Sequence, residues 1–223
     1  MKASLMGAVE LFLFGVLLLI SLAQVLVPGQ AGPDLDRRVL AFLAAHAGRW
    51  HDLNVPEADG KILYDLVLKN KYARALEIGA STGHSGIWIA WALSKTGGKL
   101  ITIELDKGRH AEAVANFREA GLEGFIDARL ADAHDLVPAL KGPFDFVFCD
   151  ADKDWYKNYF VAVQPKIVVG GCFAAHNVSP RMKGGRSGAA SFVDYVLSLP
   201  SMETTFPPGS PAGMSVTYKR AER

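Results

Sequence analysis

The sequence predicts an α/β fold in which a mostly parallel, seven-stranded sheet carries helices on both faces. Short apolar strand patterns alternate with helical patterns over residues 74–175, which is typical of a parallel sheet. A glycine-rich turn within 75–86 joins the first of these strands to a helix. Two further strand patterns, 203–206 and 214–218, flank a Pro/Gly-rich loop and predict an antiparallel addition at the sheet edge.

The elements follow one another in a regular order. Helical patterns precede the sheet at 35–47 and 59–71. The parallel strands are predicted at 74–79, 99–104, 126–130, 144–149 and 167–175. The helices between them are predicted at 84–95, 107–120, 133–140 and 154–164. Right-handed crossovers connect such strands, and ligands bind beyond their carboxyl ends.

The glycine-rich turn predicts a nucleotide-binding cradle. Gly79 and Gly83 allow the backbone to approach a ligand that lies at the N-terminus of the next helix. Glu77, at the end of the first strand, would repel a pyrophosphate but suits a zwitterionic ligand such as S-adenosylmethionine (SAM). Glu104 ends the second strand, at the offset where a carboxylate can bind ribose hydroxyls. The alternative is a generic α/β turn with an incidental acid.

Composition excludes several classes of protein. The chain has 24 basic and 23 acidic residues, so its net charge of +1 gives no electrostatic reason to expect a nucleic-acid partner. Its two cysteines, Cys149 and Cys172, fall within predicted strands and are too few for a disulfide framework. We expect both to be small buried hydrophobic residues.

The N-terminal segment 1–33 differs from the folded domain predicted at 34–223. Residues 11–27 form a dense apolar run, near the lower length limit for a membrane-spanning helix. The basic pair 37–38 follows the run and favours a membrane anchor with the folded domain in the cytosol. The alternative is a secreted or periplasmic protein, with signal cleavage at the small residues of 21–23.

Polar side chains follow the fourth and fifth strands. Asp150 ends the fourth strand and Lys153 follows it, while His176 and Asn177 come after the fifth. Carboxylate, imidazole and amide oxygen can together hold a divalent metal ion, and a lysine of lowered pKa can act as a general base. The alternatives are a polar loop that caps the next helix and a His-Asn turn that binds no ion.

These residues form one joint pattern: Glu77-x-Gly79-x3-Gly83-x-Ser85, Glu104, Asp150-x2-Lys153 and Asn177. The pattern resembles that of the cation-dependent O-methyltransferases, the family of catechol and caffeoyl-coenzyme A O-methyltransferases, from about residue 50 to the end. The resemblance implies a Rossmann-like class I methyltransferase fold with SAM as cofactor. It also implies a small hydroxyl-bearing acceptor of phenolic or catechol-like type.

The resemblance further implies roles for individual residues. The cofactor-binding set is Val55, Glu77, Gly79, Ser81, Gly83, Ser85, Glu104, Asp132, Ala133, His134 and Asp150. The resemblance makes Asp150 and Asn177 metal ligands and Lys153 the base that removes the hydroxyl proton, and the position of His176 after the fifth strand adds it as a third ligand. The family has an Asp-Asn pair where this chain has His176-Asn177. Since imidazole suits zinc better than magnesium, the metal stays open among Mg, Mn and Zn.

Two other functions stay open at this point. One is a membrane-tethered protein that binds the cofactor without catalysis, which His176 favours. The other is a nicotinamide-dependent dehydrogenase, against which the glycine spacing and Glu77 argue. Residues 178–190 and 206–213 are predicted to be loops that choose the acceptor. Related enzymes occur as monomers and as dimers, so a homodimer is one of two expectations.

Overall fold

A seven-stranded sheet runs through the part of the chain that this computed structural model describes, residues 32–222. The strands are β1 Arg74–Ile78, β2 Lys99–Glu104, β3 Ile126–Leu130, β4 Phe144–Cys149, β5 Ile167–His176, β6 Met202–Thr205 and β7 Met214–Lys219. The helices are α1 Pro33–Ala45, α2 Glu57–Asn70, α3 His84–Thr96, α4 Lys107–Glu119, α5 Ala133–Ala139, α6 Tyr156–Val163 and α7 Gly188–Leu197.

The strand order is β3-β2-β1-β4-β5-β7-β6, with β1 to β5 parallel. Strand β7 is antiparallel to β5 and β6, so the antiparallel strand lies second from the edge and β6 is outermost. The predicted fold class is therefore confirmed. Strand β2 lies on one side of β1 and strand β4 on the other, so the direction of the connections reverses at β1. In such a sheet this reversal places a ligand crevice at the carboxyl ends of β1 and β4.

Helices cover both faces of the sheet. Helices α1 to α4 pack on one face and α5 to α7 on the other. Strand β4 serves both cores because its side chains alternate: Phe146 and Phe148 face the first, Val147 and Cys149 the second. Cys149 and Cys172 are buried free thiols, as expected. The strand ends that carry the site are thus fixed by packing from both sides.

Helix α7 was not predicted from the sequence. Its first residues fall in the stretch 178–190 that the glycines and serines marked as a loop. The Ser187 hydroxyl caps the helix by accepting a hydrogen bond from the Ala190 N–H at 3.1 Å. Phe192, Val193 and Val196 are buried on its inner face. The apolar spacing after a serine cap was the available signal.

The predicted N-terminal segment 1–33 lies almost entirely outside the described residues, so its anchor or signal role stays a prediction. Within residues 32–222, no helix has both the length and the apolar character needed to cross a membrane. The first described helix starts at Pro33, and proline suits the first turn of a helix because its missing N–H has no helical partner there.

Gly79 is expected to tolerate no side chain. Its φ is +93°, and a Cβ there would lie 2.6 Å from the carbonyl oxygen of Asp150. Gly209 has a similar φ of +87° with no atom within 4 Å of that position. Gly209→Ala should cost about 1–2 kcal/mol, the left-handed penalty alone. Gly79→Ala should cost about 2–5 kcal/mol in urea unfolding, because overpacking is added. Equal costs would contradict this account.

Candidate active site

A cavity of about 340 Å³ opens at the carboxyl ends of β1, β2, β3 and β4. The predicted cofactor residues that line it are Gly79, Ser81, Ser85, Glu104, Asp132, Ala133, His134 and Asp150. Val55, Glu77 and Gly83 are not among its lining residues. The structure therefore brings together most of the set that the resemblance implied, drawn from four separate strand ends.

The carboxylate of Glu104 joins two turns at the mouth of the cavity. Its Oε2 accepts a hydrogen bond from the Ser81 N–H at 2.8 Å, and its Oε1 accepts one from the Asp106 N–H at 2.9 Å. The side chain is almost buried, at 7% exposure. Each carboxylate oxygen can accept a second hydrogen bond, so Glu104 can still receive a pair of ligand hydroxyls.

Glu77 lies beneath the turn rather than in the cavity wall. Its carboxylate is fully buried, and Oε2 accepts a hydrogen bond from Thr102 Oγ1 at 2.5 Å. Its Oε1 has no hydrogen-bond partner among the described residues. Burial raises the pKa of Glu77 to about 7, against the lowering effect of the nearby Ser85 and Thr102 hydroxyls. Direct contact with a ligand therefore stays a prediction for Glu77.

The raised pKa of Glu77 predicts that the free energy of unfolding depends on pH. The folded protein holds a proton on Glu77 more tightly than the unfolded chain, whose carboxyl has its ordinary pKa of 4.5. Stability from this group is complete below pH 4.5 and is lost as pH rises through about 7. We expect Glu77→Gln to remove this loss, worth about 3 kcal/mol. Urea unfolding at pH 5 and pH 8 measures it, and an unchanged pH dependence in the variant would exclude it.

Gly83 serves helix packing. Its φ is +99°, and a Cβ there would lie 2.7 Å from the ring of Phe117. The sequence predicted that Gly83 lets the backbone approach a ligand. In the structure the close neighbour is a side chain of α4, because Phe117 packs into the space that the glycine leaves. An approach of the Gly83 backbone to a ligand stays a prediction, whereas Gly79 meets the backbone of Asp150 and lines the cavity.

An aromatic wall stands at the β3 side of the cavity. The Asp132 carboxylate caps α5 by accepting a hydrogen bond from the His134 N–H at 2.8 Å. The His134 ring lies 3.9 Å from Trp155 and 5.7 Å from Tyr159, measured between ring centroids. Tyr159 also lines the cavity. Trp155 and Tyr159 were not predicted, although both lie in the helical pattern after Asp150. Such a wall suits a flat purine base.

A strap crosses the opposite side of the cavity. Asp52 and Leu53 have φ values of +59° and +68°, and the Arg109 guanidinium binds the Asp52 carboxylate through two contacts of 2.6 and 2.9 Å. Leu53, Asn54 and Arg109 line the cavity. Sequence reasoning missed Arg109, because no local pattern links it to Asp52. Val55 is buried beside the strap, where its carbonyl oxygen lies 2.8 Å from His84 Nδ1.

Lys153 reaches back to the end of β4. Its Nζ donates hydrogen bonds to Asp150 Oδ1 at 2.5 Å and to the Tyr156 hydroxyl at 2.7 Å. The Tyr156 hydroxyl in turn donates to the His176 carbonyl oxygen at 3.1 Å. The predicted neighbours Asp150, Lys153 and His176 are therefore brought together. Tyr156 was not predicted, and it ties the Lys153 amine to the end of β5.

His176 lies between two carboxylates. Its Nε2 is 2.8 Å from Asp59 Oδ2, and its Nδ1 is 3.0 Å from Asp150 Oδ2. Burial lowers the pKa of His176, but the two carboxylates outweigh burial and raise it above its ordinary value. Burial likewise raises the pKa of Asp150, but His176 and Lys153 outweigh it and hold that pKa below its ordinary value. The Asp150 carboxylate is thus held between the His176 ring and the Lys153 amine.

Asp59 was not predicted, although the sequence carried a signal for it. It precedes Leu63 by four positions and Val67 by eight, so it lies on the buried stripe of α2. Its side chain is completely buried. A carboxylate on the apolar face of a helix needs a partner, and His176 is that partner across 117 residues of sequence.

These contacts do not fit the predicted divalent metal site at Asp150, His176 and Asn177. Both ring nitrogens of His176 face carboxylates, whereas a metal-bound imidazole must turn one nitrogen lone pair to the metal. Both oxygens of Asp150 face nitrogen atoms, Lys153 Nζ and His176 Nδ1. Over residues 32–222, no three or more His, Cys, Asp or Glu side chains are grouped to hold a metal ion. His176 belongs instead to an ion-pair chain from Asp59 to Lys153.

A family model described as O-methyltransferase matches residues 37–183. Catechol O-methyltransferase from Niastella koreensis is 40% identical over 112 residues, which cover 48% of this chain and 50% of the relative. Flavonoid 3',5'-methyltransferase from Vitis vinifera is 31% identical over 152 residues, covering 66% and 64%. The matches to these two relatives thus span about half to two thirds of their length.

Solved structures show the same fold. An O-methyltransferase from Bacillus cereus in complex with SAH aligns with a TM-score of 0.70 and 26% identity, covering 88% of this chain and 94% of that one. One from Streptomyces achromogenes in complex with SAM aligns with a TM-score of 0.69 and 25% identity, covering 87% and 93%. The family model spans more than half of the chain, and this chain belongs to the O-methyltransferase family.

Proposed function

We propose that this protein transfers the methyl group of SAM to a hydroxyl oxygen of a small acceptor. The observation that carries the proposal is the single cavity in which Glu104, the aromatic wall at His134 and the end of β4 at Asp150 meet. This arrangement offers a carboxylate for a ribose, a flat surface for an adenine and a negative charge near a sulfonium. Family membership and the solved structures with SAM and SAH support the same ligand.

Lys153 is proposed to take the proton of the acceptor hydroxyl. A sulfonium is an activated methyl donor, so the protein chiefly has to align donor and acceptor and receive one proton. Two of the three hydrogen positions on Nζ are directed to Asp150 and Tyr156, which leaves one position for an acceptor. Lys153 must first release one proton to solvent, after which this position of Nζ holds a lone pair. The hydroxyl proton moves to Nζ as the oxygen attacks the methyl carbon and SAM becomes SAH, its demethylated product.

The acceptor is proposed to be a small phenol of catechol-like type. The names of two relatives, a catechol O-methyltransferase and a flavonoid methyltransferase, support a phenolic hydroxyl. The basic residues Arg181, Lys183 and Arg186 precede α7 and give the acceptor loops a positive charge. A panel of catechols, simple phenols and carboxylated phenols would show whether that charge selects an acidic acceptor.

Calorimetry and methyl-transfer assays test the function together. Saturable binding of SAM and SAH, with turnover on at least one phenol, is the expected result. Binding without turnover on any member of the panel would favour a cofactor-binding protein that has lost catalysis. Binding of NAD in place of SAM would favour a dehydrogenase. Absence of saturable SAM and SAH binding would overturn the proposal.

For the N-terminal segment we propose a membrane anchor that leaves the catalytic domain in the cytosol. The apolar run at 11–27 and the basic pair at 37–38 support this. The full chain should then stay with membranes during an alkaline wash, and a chain lacking 1–31 should be released. Recovery of a shortened mature protein outside the cytosol would favour signal cleavage. Light scattering on the truncated chain would decide between monomer and homodimer.

A further inference from the structure

We propose that the ion-pair chain Asp59–His176–Asp150–Lys153 replaces a divalent cation in this protein, so that methyl transfer proceeds without one. The inference deepens the proposed function, on which it rests. The chain is defined by three contacts between oppositely charged groups, at 2.8, 3.0 and 2.5 Å. It lies at the carboxyl ends of β4 and β5, where the sequence placed a metal ion.

Both carboxylate oxygens of Asp150 and both ring nitrogens of His176 lie within 3.0 Å of a neighbouring group, although His176 Nδ1 lacks hydrogen-bond geometry toward Asp150. Asp150 directs Oδ2 to His176 and Oδ1 to Lys153. His176 directs one nitrogen to each carboxylate. A hard divalent ion such as Mg²⁺ requires about six oxygen ligands in a nearly regular array. To bind here it would have to displace Lys153 and break one contact of a ring that is only 3% exposed.

His176 is held at three points, its two ring nitrogens and its backbone carbonyl oxygen. Carboxylates lie at its two nitrogens, and the Tyr156 hydroxyl binds its backbone carbonyl at 3.1 Å. Asp59 cannot easily withdraw, because α2 approaches α3 closely at the next residue. A Cβ on Gly60 would lie 2.2 Å from the ring of Trp88. The backbone that carries Asp59 is therefore fixed by helix packing.

Besides excluding a cation, the ion-pair chain balances the charge of Asp150. Two carboxylates alternate with an imidazole and an amine, so the negative charge of Asp150 is compensated from both sides. A bound cation would serve the same end. Asp59 is a positioning residue in this scheme: it holds His176 against Asp150, while Asp150 lines the cavity and Lys153 contacts Asp150.

Binding of Mn²⁺ to the purified full chain tests the inference without any methyl acceptor. Electron paramagnetic resonance measures free Mn²⁺ as the ion is titrated into the SAH-bound protein to about a tenfold excess. We expect no saturable binding by the wild-type protein. We expect His176→Asp, which removes the ring and adds a carboxylate beside Asp150, to bind Mn²⁺ with one-to-one stoichiometry. His46→Asp, at the end of α1, is the control for an added carboxylate.

Two results of the titration would overturn the inference. One is stoichiometric Mn²⁺ binding by the wild-type protein. The other is absence of binding by both wild type and His176→Asp, since His176 would then not be what excludes the ion. The variant is compared only if its SAH affinity lies within about threefold of wild type, as a test of folding. If the variant fails that test, the wild-type titration decides alone.

Chelation gives a second, independent readout. Turnover of the wild-type protein on a phenol should stay within about twofold after EDTA treatment and after addition of Mg²⁺, Mn²⁺ or Zn²⁺. A loss of about tenfold on chelation, restored by one of these ions, would overturn the inference. If SAM and SAH bind but no phenol is methylated, the proposed function fails, whereas the Mn²⁺ titration still decides whether the ion-pair chain excludes a cation.

Discussion

Lys153→Met is expected to lower kcat for methyl transfer by about 10²–10⁴-fold, the usual contribution of a general base. Methionine keeps most of the length of the side chain but cannot take a proton. The Kd for SAH should change little, because Lys153 does not line the cofactor cavity. Asp150 keeps its contact with His176 at 3.0 Å, so the strand end should hold its position in the variant.

The matched control is Lys157→Met, one turn further along α6. Lys157 lies over the Tyr195 ring, with its Nζ 4.8 Å from the ring centroid, away from Asp150. This variant should keep both turnover and SAH affinity. Stopped assays for methyl transfer and calorimetry for SAH measure the two quantities separately. An equal loss of turnover and affinity in Lys153→Met would argue against a proton-transfer role and in favour of a structural one.

Glu104→Ala is expected to weaken binding of SAM and SAH by about 100-fold or more. Two hydrogen bonds from ribose hydroxyls to a carboxylate contribute about 1.5–3 kcal/mol each, and a tenfold change in Kd corresponds to about 1.4 kcal/mol. The substitution also removes the acceptors of the Ser81 and Asp106 N–H groups, which loosens both turns at the mouth. Because the chemical step is distant, kcat at saturating SAM should fall less than affinity.

Glu104→Gln separates the loss of hydrogen bonds to the ribose from the loosening of the two turns at the mouth of the cavity. Glutamine keeps the shape and one acceptor oxygen, so an intermediate loss of affinity is expected. Glu123→Ala is the surface control, since Glu123 pairs with Arg118 in an exposed salt bridge. Isothermal titration with SAH measures each Kd, and thermal unfolding without ligand reports any loss of folding. Unchanged SAH affinity in Glu104→Ala would exclude Glu104 as the ribose ligand.

Most of the fold followed from local patterns. Apolar runs that alternate with helical spacing gave every strand, and the helices before β6 except α7. Helix α7 escaped because its glycines and serines resemble a loop, although Ser187 caps it and Phe192 and Val196 pack in the same core as α6 and β5. The cofactor side was also largely predictable. Residues at strand ends converge by topology alone, so Gly79, Glu104 and Asp132 could be placed together before any contact was known.

The sequence by itself determined which residues stand at the ends of the strands, because strand period and crossover topology depend on short-range patterns. Tertiary structure alone decided what those residues touch. It placed Phe117 against Gly83, joined Arg109 to Asp52, and set His176 between Asp150 and Asp59. The physical reason is that a buried charge takes its character from the partner that packing brings within about 3 Å. For His176 that partner comes from a helix 117 residues earlier.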